Sequence, residues 1–315
     1  MAKDHAKIYQ GFIDEELASA SGTQWMAAGE GQVRFCGGKE VEVNDLSTTG
    51  LGDYDSSKTD GTAYPAGAVT SSWSAQTLSM DRGVKFALDR TSPQDIGFDA
   101  SVEAVVREFA RSQLAKEQDA YRIHKLYSLA AADSTHKGTH VLDFEIGTDD
   151  IVDKLCGLIQ TLENDSERSG GFVAMVAADQ KTAFLKASAQ TFNNIAFEQT
   201  VEINGVSYEH VMMLNDLPCI FVPTSRMHTV IAAQSGRGQQ SAGGIRAGTG
   251  AKRILAVVTA WDAPLAVARI DSLKQFGPQE NQLFDGTAIQ ARYLYDLYVP
   301  DGKVGTIGAL VEKTA

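Results

Sequence analysis

The chain has 315 residues, 43% of them hydrophobic and 22% charged, the composition of an ordinary globular protein long enough for two domains or one elaborate one. Its formal net charge of −12 argues against a dedicated DNA or RNA binder, which needs clustered Lys and Arg to neutralise phosphates, but does not exclude a container whose inner wall must not hold its contents tightly. No apolar run approaches the ~18 residues of a membrane span; the polar start Met1-Ala-Lys-Asp-His-Ala-Lys7 has no signal-like apolar region, so no membrane partner and synthesis in the cytoplasm are expected.

Residues 1–38 read as an N-terminal arm: a short amphipathic piece (Ile8, Phe12, Ile13, Leu17), then a Gly/Ser-rich run without periodicity. In this arm and beyond it, Cys36, Cys156 and Cys219 are far apart, odd in number and outside any C-x-x-C, which predicts free thiols in a reducing compartment. Residues 39–95 read as an extended β-loop. Val41 and Val43 alternate with charges, and residues 50–67 form a turn-rich polar tip. Strands near 68–79 and 83–90 flank Asp81-Arg82-Gly83, where Gly83 can supply a positive φ for a tight reversal. An isolated hairpin is only marginally stable in water, so this arm must lie on its own body or on another subunit.

Residues 98–132 contain neither Pro nor Gly and predict one long helix, roughly 50 Å at 1.5 Å per residue. Phe98, Val102, Val105 and Phe109 keep i, i+4, i+7, i+11 spacing, so one stripe is buried. Glu103, Arg107, Arg111, Lys116, Glu117 and Arg122 fall on the other faces. A helix of that length beside a protruding hairpin suits a subunit that reaches over its neighbours.

From residue 145 the pattern becomes α/β. Thr148 is positioned to cap a helix with Asp149 and Asp150 in its first turn, and Phe172–Ala177, Cys219–Val222 and Arg253–Thr259 read as core strands. Ile203-Asn-Gly-Val206 is a two-residue hairpin signal, residues 234–251 read as a loop rich in Gly, Gln and Ser, and 288–299 with 303–311 read as a final pair of strands around Pro300-Asp-Gly302. Residues 145–260 thus form an inserted α/β domain, with 96–144 and 261–315 making the other.

No motif carries chemistry. Gly244–Lys252 imitates a phosphate loop, but Ala251 precedes Lys252 and a strand follows. His136 and His140 lack the Glu that a zincin requires, and Gly138 breaks the helical face between them, which leaves a solvated loop. Asp53, Asp55, Ser57 and Asp60 miss the Gly and terminal Glu of a calcium loop. There is no G-x-S-x-G, and no carboxylate sits in an apolar run that would tune it. Tyr293, Tyr295 and Tyr298 read as sheet-face aromatics rather than a base-stacking platform. The expectation is a non-enzyme with no cofactor and no metal.

Several ordered segments resemble the major capsid proteins of tailed double-stranded DNA phages. They are Gly50-Leu-Gly-Asp-Tyr-Asp55, Thr77-Leu-Ser-Met-Asp-Arg-Gly-Val-Lys-Phe-Ala-Leu-Asp89, Phe109-Ala-Arg111 with Asp119-Ala-Tyr-Arg122, Asn215–Met227, Gly277–Gln282 and Ala291–Asp296. The resemblance implies an α+β chain with the Johnson fold, in which 98–132 is the spine helix of a peripheral domain, 145–260 an axial domain around hexamer and pentamer axes, and 39–95 an extended loop on the adjacent subunit. It further implies a virion shell protein that self-assembles into an icosahedral capsid, with a separate scaffolding protein, a portal and weakly contacted packaged DNA as partners. Under that resemblance the loop's inter-subunit residues are Asp53, Tyr54, Lys58, Tyr64 and Trp73, and the spine-helix face is Phe98, Val102 and Phe109. Two other readings stand beside it: an encapsulin-like compartment shell, and an α/β enzyme using residues 145–260.

Overall fold

Two units make up the computed structural model, which describes residues 3–4, 6–29, 31–58, 63–89, 102–190, 195–237, 243–277, 279–281 and 286–313. One unit is residues 28–79; the body is residues 1–27 together with 80–315.

The body starts with β1 (Lys3–Asp4) and α1 (Ala6–Ala20). Helix α1 sets Ile13 and Leu17 against Val106, Ala110 and Leu114, and the 3₁₀ turn after it sends Trp25 and Met26 fully into the core. In its described part, the segment read as an arm packs on the helix of the same chain. Its apolar residues are large enough to be buried against the chain that carries them.

The small unit is a three-stranded antiparallel sheet of β2 (Val33–Gly37), β3 (Glu40–Thr48) and β4 (Val69–Thr77), in that order. Among its residues with described side chains only Val41, Val43, Ala63 and Leu78 are buried, which is too little for a core.

The chain then enters β5 (Met80–Asp89). Here the expectation of a hairpin turning at Gly83 fails. Gly83 lies inside β5, and β4 and β5 do not pair: β4 follows β3 from Thr48↔Val69 to Glu40↔Thr77, while β5 joins a distant strand near the C-terminus. The reason lies in the alternation Val84, Phe86, Leu88, an apolar face that packs onto the core of α1 and the spine helix.

The spine comprises α2 (Val102–Phe109), a π turn at Ala110–Leu114 and α3 (Ala115–Ala132). Phe98 lies outside the described residues. The π turn keeps Ala110, Leu114 and Ala115 all on the buried side. A short α4 (Lys137–His140) leads into β6 (Val141–Phe144) and α5 (Ile151–Asp165). The cap of α5 is Asp150, whose Oδ1 accepts from Val152 N at 2.8 Å, two residues beyond the expected Thr148. Next come β7 (Phe172–Ala177), α6 (Lys181–Gln190), β8 (Ile195–Ile203), β9 (Val206–Leu214) and β10 (Leu217–Val222). Asn204 (φ 49) and Gly205 (φ 78) make the predicted hairpin between β8 and β9.

Within the expected 234–251 loop there is instead a strand. β11 (Ile231–Ala233) pairs with β12 (Ile245–Ala247), so the described part is a two-stranded ribbon. The body closes with β13 (Ile254–Ala260), β14 (Leu265–Phe276), β15 (Gly286–Tyr298) and β16 (Ile307–Glu312). The last two are not a hairpin. β15 sits in a four-stranded sheet of order β1-β14-β15-β5, whereas β16 sits in a seven-stranded sheet of order β6-β16-β13-β7-β10-β9-β8. The run Ile307–Val311 is buried throughout, and such a strand needs neighbours on both edges and cover on both faces. It finds β6 in parallel and β13 in antiparallel, so this sheet extends beyond residues 145–260.

Alternation along β7 shows how the seven-stranded sheet is covered. Val173, Met175 and Ala177 join a core with Ile123, Leu126 and Ala130 of the spine, while Phe172, Ala174 and Val176 join another with Leu155, Leu158 and Leu162 of α5. The first half of the spine, through Val106 and Leu114, covers the four-stranded sheet at Ile270, Leu273 and Ile289. One helix thus roofs two sheets.

Gly308 of β16 marks the tightest point beneath α5, since a Cβ there would stand 2.8 Å from Leu158 Cδ1. Gly308→Ala is expected to destabilise by about 1–3 kcal/mol through overpacking, and Leu158→Ala by about 2–5 kcal/mol through the cavity it leaves. Because the added methyl enters the vacated space, the double variant should cost less than the sum of the two. Urea unfolding of all three variants checks this, and strict additivity would contradict the contact.

Candidate functional site

Two buried charges of the body, Asp119 and Arg122, form one site that joins three segments. Asp119 of α3 is fully inaccessible. Its Oδ1 accepts from Ser21 Oγ and Thr23 Oγ1, both at 2.6 Å; its Oδ2 accepts from Gly22 N at 3.1 Å and from Arg226 Nη1 at 2.6 Å. Gly22 is required here, because a Cβ would lie 2.8 Å from Val222 Cγ2. One turn further, Arg122 is also buried and donates to Thr23 O at 3.0 Å and to Gln118 Oε1 at 3.3 Å. Burial pulls the Arg122 guanidinium below its usual value, opposed by the nearby Asp119 carboxylate. Trp25 N donates to the Tyr208 hydroxyl at 3.0 Å, and burial raises that phenol.

The placing of Arg122 on a face away from the buried stripe is thus corrected. Spacing held the signal: Ala115, Asp119, Arg122 and Leu126 share i, i+4, i+7, i+11 positions, so the stripe that buries Leu126 buries both charges. Asp119-Ala-Tyr-Arg122 and Pro223–Met227, far apart in sequence, meet through the Asp119–Arg226 ion pair.

A second polar layer holds β5 to the spine and to β15. Arg82 Nε donates to Glu117 Oε1 at 2.6 Å, Tyr295 OH donates to the same oxygen at 2.7 Å, and Arg82 Nη2 reaches Gly244 O at 3.2 Å. On the other face of β5, Asp81 accepts two bonds from Arg292, at 2.8 and 2.7 Å, and Arg292 also donates to Asp271. Tyr121 OH donates to the buried Asp296 at 2.6 Å. The aromatic strand faces inward: Tyr293 packs on Phe109 (5.8 Å between centroids) and Tyr295 meets Tyr121 edge-on (5.5 Å).

His136 and His140 do not form a solvated loop. Their rings stack at 4.7 Å, His140 is buried, and each has its own carboxylate: Asp133 at 2.8 Å from His136 Nδ1 and Asp165 at 2.8 Å from His140 Nε2. Among the described residues no cluster of three or more potential ligands could hold a metal. All three cysteines are free. Cys36 is exposed, Cys156 half-buried, and burial pushes the Cys219 thiol up to about 12.

The residues assigned to inter-subunit contact lie in the small unit. Asp53 is exposed, Tyr54 and Tyr64 are exposed with ring centroids 4.8 Å apart, and Lys58 lies 3.9 Å from Asp55. Asp55 accepts from Ser57 N and Oγ, which hold its carboxyl below the usual range. Trp73 is half-buried under the Arg34 guanidinium, 4.3 Å from the ring centroid. On the spine, Phe109 packs against Phe86 and Tyr293, and Val102 opens α2.

The chain is similar in structure to the mature capsid of bacteriophage PhiM1, at 12% identity and a TM-score of 0.51 over 88% of this chain and 83% of that one. It is similar to the capsid of the cyanophage P-SCSP1u, at 12% identity and 0.52 over 89% and 85%, and to a chain of Microbacterium phage Oxtober96, at 14% identity and 0.52 over 94% and 92%. No family model and no curated protein matches the sequence. The fold is the α+β Johnson fold of phage capsid structures.

Asp119→Ala leaves the Arg226 charge, two hydroxyls and the Gly22 N–H without their acceptor. The variant is expected to lose about 3–5 kcal/mol of stability, and Arg226→Lys, which keeps the charge, to lose less. Denaturant unfolding of the isolated chain reads both; a loss below about 1 kcal/mol for Asp119→Ala would mean that water replaces the cluster.

Proposed function

We propose that this chain is a major capsid protein: it self-assembles through hexamers and pentamers into an icosahedral shell that encloses the double-stranded DNA of a tailed phage, and it resides in the virion. One observation carries the reading. The Johnson fold extends over 88–94% of the chain in likeness to three phage structures, two of them capsids, so the likeness is to a whole subunit and not to a shared module. Fold by itself does not fix function, and the surface supplies the second support. The unit of residues 28–79 carries Leu51, Tyr54, Tyr64 and Val69 exposed while burying almost nothing of its own. Such a unit gains burial from other copies.

In this reading residues 98–132 are the spine of a peripheral domain (96–144 and 261–315), 145–260 the axial domain, 1–38 the N-terminal segment, and 39–95 the extended loop that reaches a neighbour through Asp53, Tyr54, Lys58, Tyr64 and Trp73. The role is structural and not catalytic. A separate scaffolding protein and a portal complete the assembly, and the excess of 40 acidic over 28 basic residues keeps packaged DNA loosely held.

Negative-stain imaging and native mass measurement of the purified protein should show capsomers, tubes or shells. A monodisperse monomer under every assembly condition would reject the reading, and shells that carry a cargo enzyme in place of DNA would convert it to a compartment protein. Replacing residues 52–65 by a short Gly/Ser link should leave the body's far-UV signal and melting intact while assembly yield collapses. Particles of normal yield and stability from that variant would remove the loop from the contact.

A further inference from the structure

A groove of about 960 Å³ opens where β5, β14 and β15 meet the segment at 234–237. Five basic side chains and one carboxylate line it, in a chain whose totals run the other way, 28 basic to 40 acidic. Strand register builds the basic face. Lys85, Gln290 and Lys274 stand directly opposite one another across the three strands, and the rung two residues along is Gly83, Arg292 and Ser272. Gly83 has no side chain, which leaves that end of the face open. The nearby carboxylates with described side chains are committed: Asp81 and Asp271 pair with Arg292, and Glu117 pairs with Arg82. Lys85 and Lys274 are exposed, and Arg237 adds a third exposed cation from the adjoining segment. Ser272 and Gln290 supply neutral hydrogen-bonding groups beside them.

The same chain carries an acidic counterpart. Residues 28–79 hold seven acidic residues (Glu30, Glu40, Glu42, Asp45, Asp53, Asp55, Asp60) against three basic (Arg34, Lys39, Lys58), a difference of −4. Residues 51–58, which carry Asp53 and Asp55 against one cation, Lys58, 3.9 Å from Asp55, are exposed throughout and leave Asp53 as the carboxylate without a neighbouring cation in that segment.

Resting on the shell reading above, we infer that the basic groove of one copy receives the acidic 51–58 segment of a second copy. Residue 53 or 55 then lies against Lys85 and Arg237 of its neighbour. Opposite charge at such a contact selects the partner and fixes register more than it adds raw affinity. Nucleic acid is the less favoured occupant, since a duplex approaching the groove also meets the repulsion of the whole acidic chain.

Charge reversal tests the pairing in the full-length chain. The groove variant Lys85→Glu with Arg237→Glu and the loop variant Asp53→Lys with Asp55→Lys should each keep the wild-type circular dichroism and melting profile. Each should lower shell yield at low salt by about tenfold or more, and the neutral groove variant Lys85→Gln with Arg237→Gln should fall in between. A chain carrying both reversals presents matched surfaces again and should recover to within about threefold of wild type. A groove variant that assembles at wild-type yield overturns the pairing. So does a doubly reversed chain that fails to recover, and so does a groove variant that assembles normally but retains less of a double-stranded DNA fragment, which would make nucleic acid the occupant. If the wild-type chain never oligomerises, the shell reading itself fails, an outcome separate from these three.

Discussion

A carboxylate sealed from water must find its partners inside the protein, and Asp119 finds them in three places at once: the turn after α1, the spine helix that carries it, and Arg226 just beyond β10. The cost of desolvating such a charge is recovered only with close geometry and a full set of donors, which is why four donors converge on two oxygens. Much else follows from that convergence. Fixing Ser21–Thr23 on the spine aims Trp25 and Met26 into the core, and fixing Arg226 sets the exit of the inner strand β10 against the same helix. The carbonyl of Trp25 in turn accepts from Asn204 at the β8–β9 turn, so a hairpin at the sheet's edge is tied to the same point.

Around this point the spine helix works as a shared roof. Its first half, from Val106 to Ala115, covers the four-stranded sheet together with α1; its second half, from Ile123 to Ala130, covers one face of the seven-stranded sheet. Arg82 and Tyr295 add a second tether, since both bind Glu117 between the two halves. The three apolar clusters of the body are thus all built from its own described residues.

The unit of residues 28–79 follows opposite physics. Three strands satisfy their backbone ladders, but among the described side chains only four are buried and most are exposed. Hydrogen-bonded register gives this unit a defined shape, and surface left uncovered gives it a reason to associate.

Sequence alone determined the long Pro- and Gly-free helix and where it stops, the Asn204-Gly205 turn, the core strands at 172–177, 219–222 and 254–259, and the absence of any complete catalytic motif. These are local properties, written in periodicity, breakers and turn chemistry within a few residues of one another. The ordered segments around Asp81-Arg82-Gly83, Asp119–Arg122 and Pro223–Met227 also pointed to the Johnson fold, though not to why those residues belong together. Only the tertiary structure decided that β5 pairs with β15 and not with β4, that β15 and β16 part into different sheets, that the N-terminal segment folds onto its own body, and that Asp119 and Arg122 lie inside. Strand partners and buried ion pairs are separated by tens to hundreds of residues. What selects them is the shared need to cover apolar faces and to match each desolvated charge, a condition on the whole packed chain that no local pattern can express.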